Sequence, residues 1–200
     1  MQKQFSLFLS TTLILSLSLI RPNQAKIRIV IGSVTDSTDT TTNTCQPSGY
    51  ISSRKPGSCT AQNNDSCCKD GQSYPKYQCS PPVTAKTDAI MYINTFSDAP
   101  SSCEPKIYND DELVVSLSTG WYDKGTRCLK SINITTNGNS VLAKVVDQCD
   151  SINGCTAEVG YEKPCGANEI RASRGVWSKL YMVNDQMGTL EVTWSDVSSS

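Results

Sequence analysis

The sequence predicts a mainly β fold, a small closed barrel with one short helix, preceded by a disulfide-stapled Cys-rich module. Three observations carry this prediction. Short strand-like segments recur from Val83 toward the C-terminus, two of them flanking a tight-turn signal. One stretch in that region has helical spacing. Ten cysteines are present, five of them within residues 45–82, where apolar residues are scarce.

Residues 1–25 read as a secretory signal peptide. Lys3 supplies the positive n-region, Phe5 to Ile20 is an apolar run rich in Leu and Ser, and Ala25 is a small residue suited to cleavage. The run is too short and wrongly flanked for a membrane span. Cleavage after Ala25 would leave 175 residues, and loss of Lys3 and Arg21 would move the net charge from −1 to −3. That length suits one ordinary domain with a small appendage. Residues 26–44 hold "IRIVIG", strand-like but with no partner in view, and then Ser, Thr and Asp with almost nothing to bury. They are expected as a flexible leader.

The segment 45–82 cannot build a core from its own residues and must rely on bridges. Its cysteines are Cys45, Cys59, Cys67, Cys68 and Cys79; five is odd, so at least one must pair outside or stay free. It is therefore expected as a module stapled to the rest of the chain. The other cysteines are Cys103, Cys128, Cys149, Cys155 and Cys165. Ten in an exported chain imply five disulfides, with pairing open at this stage.

Residues 83–197 are expected to form the barrel. "AIMYINTF" and "DELVVSLSTGWY" carry strand-forming residues. "RCLKSINITT" and "SVLAKVVDQC" flank Asn137-Gly138, a dipeptide that tolerates positive φ at both positions and marks a hairpin. Ile132 and Ile134 share one face; Val141, Ala143 and Val145 share another, and period-two counting adds Asp147 to that second face. In "EIRASRGVWSKLY", Ile170, Val176, Trp177 and Leu180 have helical spacing, weakened by Gly175. "GTLEVTWSDV" alternates again, with Leu190, Val192 and Trp194 on one side. Closing such strands into a barrel protects their edges.

Composition excludes several functions. The chain has no histidine, which removes Ser-His, Cys-His and His-metal chemistry, and it has no Cys-x-x-Cys pair to seed a zinc site. No metal or cofactor is expected. A weakly acidic chain without a basic cluster does not point to nucleic acid or to an anionic membrane surface.

In order, "CQPSGYISSRKPGSC", "SCCKDG", "YPKYQCSPPVT", "SLSTGWYDKGTRC", "AKVVDQCDSINGC" and "GTLEVTWSD" resemble the kiwellin family of plants, also called ripening-related proteins. The resemblance spans about residues 45–197. "KVVDQCD" also resembles barwin-type defence proteins and the barrel domain of expansins. The resemblance implies a six-stranded double-psi β-barrel and an apoplastic plant protein, a monomer. It implies a protein partner of microbial origin, since some members bind and inhibit chorismate mutases secreted by fungi. The rival implication, from the expansin-like branch, is a cell-wall polysaccharide partner without catalysis.

In that branch an acid matching Asp147 lines a polysaccharide groove, and lytic relatives need a second acid. The matching second position here is Arg171, which stays charged and cannot act as general acid or base. Asp150, three residues from Asp147, is the substitute acid, though loop acids at that spacing are usually solvated or turn-capping. Asp147 is thus read three ways: as a structural acceptor pinning the chain near Cys149, as a groove residue, or as a catalytic acid. The candidate groove residues are Thr119, Trp121, Tyr122, Asp147, Asp150 and Arg171. Trp121 and Tyr122 are either exposed interface anchors at a strand end or core residues. Tyr74 and Tyr77 are expected to be partly exposed. Two sequons, at Asn64 and Asn133, are glycosylation candidates.

Overall fold

Six strands close into a barrel: β3 (Thr87–Ile93), β4 (Val114–Ser118), β5 (Ser131–Thr136), β6 (Asn139–Cys149), β7 (Glu169–Ala172) and β8 (Thr189–Asp196). Around the barrel their order is β3-β7-β4-β6-β5-β8, with β8 returning to β3. The β3/β7 and β4/β6 pairs are parallel and the other four antiparallel. This is the closed six-stranded double-psi architecture the resemblance implied. The computed structural model describes residues 45–52, 67–181 and 188–197. The signal peptide, the leader, Cys59 and Asn64 lie outside the described residues.

The barrel fills because its strands alternate as the residues dictate. Ile132 and Ile134 of β5, Val141, Ala143 and Val145 of β6, and Val192 and Trp194 of β8 all point into one core. Burying an isoleucine of this kind contributes about 2 kcal/mol. The β5–β6 hairpin turns at Asn137 and Gly138, with φ of 48° and 81°, as its dipeptide requires.

Among the described residues two α-helices flank the barrel where one was expected. The stretch 169–181 is not a single helix: it divides into β7 and α2 (Arg174–Leu180). Glu169 to Ala172 alternate between half-buried and buried, a period of two that the apolar spacing of Ile170 with Val176 concealed. Ser173 separates the elements, its hydroxyl accepting from the Val176 N–H at 3.3 Å as an N-cap. The second helix, α1 (Thr119–Tyr122), follows β4 directly, inside a stretch whose residues favour strand. Gly120 lets the Cys-rich segment pack onto α1, because a Cβ there would stand 2.2 Å from the Ser80 backbone nitrogen.

The Cys-rich segment holds an antiparallel pair, β1 (Gly49–Ser52) and β2 (Ser73–Lys76), closed by the Cys45–Cys79 disulfide. Cys68 pairs with Cys155, so of the two outcomes its odd cysteine count left open, the segment takes the covalent join to the barrel side. Cys67 is also disulfide-bonded. Polar contacts reinforce the join: Trp121 Nε1 donates to the Pro81 carbonyl at 2.8 Å, and the Tyr77 N–H to the Ser151 carbonyl at 2.7 Å. The remaining described bridges are Cys103–Cys128 and Cys149–Cys165. Among the described residues, no helix is long and apolar enough to cross a membrane.

Candidate functional site

A one-residue irregularity builds the site. In the parallel β4/β6 ladder Val115 pairs with Val145, but Ser116 pairs with Asp147, leaving Val146 extra. A bulge of this kind changes which face the following residues present. Val145 stays in the barrel core, whereas Val146 is buried outside it against Phe96, Tyr108 and Val114. Asp147 therefore does not share the inward face of Val141, Ala143 and Val145, as period-two counting placed it. It lies beside Ser116 on the outer wall.

Ser116 also pairs with Arg171 on β7, and Arg171 with Tyr92 on β3. Asp147, Ser116, Arg171 and Tyr92 thus form one row across four strands. At ordinary inter-strand spacing the Asp147 and Arg171 Cα atoms are about 10 Å apart.

Asp147 is tied to the preceding loop. Its Oδ1 accepts the Ser102 N–H at 3.0 Å, the Ser102 hydroxyl, and the Gln148 N–H at 2.8 Å. The loop it holds carries Cys103, bridged to Cys128. Arg171 is held from two sides: Nη1 donates to Glu162 at 2.6 Å and Nε to Glu169 at 2.9 Å. Burial disfavours the Arg171 charge, but Glu169 and Glu162 outweigh that effect and raise its pKa. Glu169 accepts the Gly166 N–H as well, at 2.9 Å. Tyr92 is half-buried, and burial followed by the Glu169 charge pushes its phenol up, with Arg171 opposing.

Asp147, Ser116, Arg171 and Glu162 border a cavity of about 210 Å³, with Asn94, Gln148 and Asp150 also on its walls; Tyr92 and Glu169 do not line it. The described lining residues offer carboxylates, amides and cations but no aromatic ring. Asp150 caps its own turn, its Oδ1 accepting the Ile152 and Asn153 N–H groups at 2.8 and 3.0 Å. Of the solvated and turn-capping roles its spacing left open, this is the turn-capping one. Thr119 borders a neighbouring cavity of about 440 Å³ that shares Gln148 with the first. Its hydroxyl accepts from Gln148 Nε2 at 2.8 Å and the Ser151 N–H at 2.9 Å, anchoring the loop between the two cavities.

Trp121 and Tyr122 take the core reading of the two that the sequence left open. Trp121 is 1 % exposed, edge-on to Trp194 at 5.1 Å between centroids. The Tyr122 hydroxyl faces the Cys103–Cys128 bridge, 3.3 Å from Cys128 Sγ. Neither ring offers a surface platform. Tyr74 and Tyr77 are half-buried, as expected.

Sequence reasoning missed Glu162, Glu169, Ser116 and Tyr92. The i, i+2 spacing of Glu169 and Arg171 would have put both on one face had 169–172 been read as strand. Donor atoms of Cys149, Cys165 and Glu169 lie within 4.8 Å of one another, but the two sulfurs are bonded to each other and provide no thiolate.

Comparison with known proteins agrees with the motifs. The family model described as Kiwellin-1 matches residues 11–197. Ripening-related protein 3 of Oryza sativa subsp. japonica is 44% identical over 162 residues, covering 76% of this chain and 75% of that protein. Kiwellin of Actinidia chinensis var. chinensis is 41% identical over 170 residues, covering 82% and 78%. Among solved structures, apo-Clavibacter michiganensis expansin matches with a TM-score of 0.45 at 17% identity, covering 57% of this chain and 52% of that one. On the family model and these relatives, the chain belongs to the kiwellin family of ripening-related proteins.

Proposed function

We propose that this protein is exported to the plant apoplast and works by binding another protein, a secreted microbial enzyme, without catalysis of its own. The partner class is the one the family resemblance implies, with fungal chorismate mutase its example. The observation that carries the reading is the state of Arg171. It occupies the place where a two-carboxylate mechanism needs its second acid, and it is neutralised by Glu162 and Glu169. Asp147, across Ser116 from it, spends one oxygen on the Ser102 loop. The result is a stiff, charged and amide-lined depression on a bridged scaffold. Stiffness lowers the entropy cost of association. A protein target also needs roughly 800 Å² per side, so the neighbouring cavity and the loops on its rim would have to take part.

The second reading, a wall polysaccharide ligand, is favoured by Tyr92, a half-exposed ring next to Arg171 in the row. Sugar rings stack on such aromatic faces, but one half-covered ring makes a short platform.

The test is direct binding of the purified protein to two probes, a recombinant secreted fungal chorismate mutase and insoluble cell-wall polysaccharide. Capture of the enzyme with loss of its turnover is the expected result. Retention on polysaccharide, with no binding to the enzyme or to any microbial protein of infected apoplastic fluid, would reverse the order of the two readings.

A further inference from the structure

The outer face of β5, on the barrel wall away from the Asp147–Arg171 row, has no role in the binding reading. Its centre is Asn133, first residue of the sequon Asn133-Ile134-Thr135. On a strand the first and third residues of a sequon point the same way. Ile134 is turned fully into the core, so Asn133 and Thr135 are both on the outer face, and both are half-buried there. The Asn133 side chain has a defined orientation: its Oδ1 accepts the Ser140 hydroxyl at 3.0 Å. That bond engages the carbonyl end of the amide and leaves Nδ2, the atom a glycan is joined to, at the other end.

The neighbours of Asn133 supply a second, independent observation. Its cross-strand partners are Leu142 on β6 and Ser195 on β8. Leu142 is 55 % exposed, although the residues before and after it, Val141 and Ala143, are buried in the core. Directly opposed side chains have Cβ atoms about 5 Å apart. Around it on the outer face stand Ser140 and Lys144 on its own strand and Ser131 and Thr135 on β5, so the exposed leucine is an apolar shelf in a polar face, next to an amide that export would modify. The first sugar of an N-linked chain has an apolar ring face of matching size, and packing it on Leu142 removes that surface from water.

We infer that Asn133 carries an N-linked glycan whose first sugar packs on Leu142. This rests on the export reading, because N-glycosylation requires entry into the secretory pathway. The bond formed is between Asn133 Nδ2 and the anomeric carbon of the first sugar. The Nδ2 proton is lost, the bond between that anomeric carbon and the diphosphate of the lipid-linked sugar donor breaks, and the lipid diphosphate leaves.

The experiment is expression of the full chain in plant cells, with peptide mass mapping of the Asn133 peptide from both medium and cell extract. Amidase release in heavy-oxygen water marks each formerly glycosylated Asn as labelled Asp. Label at Asn133, retained in Asn64→Gln and lost in Asn133→Gln, is expected. An unlabelled Asn133 in secreted protein overturns the inference and leaves export standing; an unlabelled chain found only inside the cell overturns both. The Leu142 contact has its own readout. Enzymatic removal of the glycan should lower the melting temperature of the wild type, and the drop should shrink in Leu142→Ser. An equal drop in both proteins removes Leu142 from the inference.

Discussion

Asp147 and Arg171 stand on opposite sides of Ser116, each paired with it, on strands β6 and β7 that do not pair with each other there. Both are anchored away from the gap between them, Asp147 to Ser102 and Arg171 to Glu162 and Glu169. A carboxylate and a guanidinium thus face the same depression without neutralising each other through any described ion pair. The Asp147 end can be tested on its own. Asp147→Ala removes the acceptor for two N–H groups and a hydroxyl, at a cost of about 2 kcal/mol. Asp147→Asn keeps a carbonyl oxygen for the same donors and should cost about half as much. Urea denaturation under oxidising conditions reads both values, and equal losses would show that charge rather than acceptor geometry matters.

The Arg171 end depends on a forked side chain. Nε and Nη1 reach two different carboxylates, which an ammonium cannot copy in the same geometry. Arg171→Lys should cost about 1 kcal/mol, and Arg171→Met, which leaves Glu162 and Glu169 unpaired, about 2 kcal/mol. Both groups retain some exposure, so losses much above this would mean that the loop carrying Glu162 unfolds with the change.

Gly120 shows packing overriding propensity. Alanine is the better helix former, so local preference favours Gly120→Ala in α1. Yet the added Cβ would meet the Ser80 nitrogen at 2.2 Å and the Cys79 carbonyl carbon at 2.3 Å, both backbone atoms. The expected outcome is a loss of about 3 kcal/mol. Because the clash is with the Cys-rich segment, proteolysis near Cys79 should also become faster. A neutral result would mean that the segment can shift off the barrel.

Asp110 and Tyr108 each contribute to the pH dependence of stability. Burial raises the Asp110 carboxyl, but bonds from the Phe96 N–H and the Thr95 and Ser97 hydroxyls, with the Arg174 charge, outweigh it and lower its pKa. A folded-state pKa below the unfolded one means that the unfolded chain binds more protons. The Asp110 contribution is therefore present above its ordinary value of 3.8 and is lost as pH falls below it. Tyr108 acts at the other limit. Burial, then its bond to Glu104 and the charges of Glu104 and Glu112, raise it from 10.0 to about 12. Its contribution is present below pH 10 and is lost as pH rises toward about 12. Denaturation midpoints across pH should show both limbs, with a shallower acid limb in Asp110→Asn and a shallower alkaline limb in Tyr108→Phe.

The features legible in the sequence are local. The β5–β6 hairpin follows from Asn137-Gly138 and from alternation on both sides of it, and every residue involved is a chain neighbour of the next. The odd count of the Cys-rich segment left an outside bridge or a free thiol, and Cys68–Cys155 is the bridge. The face of Asp147 could not be read this way. The bulge at Val146 exists because Val146 fills a pocket with Phe96, Tyr108 and Val114, residues far from it in the chain. Likewise 169–172 mimics helical spacing until the pairing of β7 with β3 and β4 imposes a period of two.

By itself the sequence determined the family, the mainly β barrel, the disulfide dependence and the missing histidine chemistry. These rest on composition, on short motifs and on patterns that repeat within a few residues. Tertiary structure decided where the chemistry faces. It turned Asp147 outward, set Arg171 opposite it, drew Glu162 and Glu169 to Arg171, and buried Trp121 and Tyr122. Each of those outcomes depends on which strand lies beside which and on a one-residue change of register. Register is settled by packing between segments distant in sequence, and no local pattern encodes it.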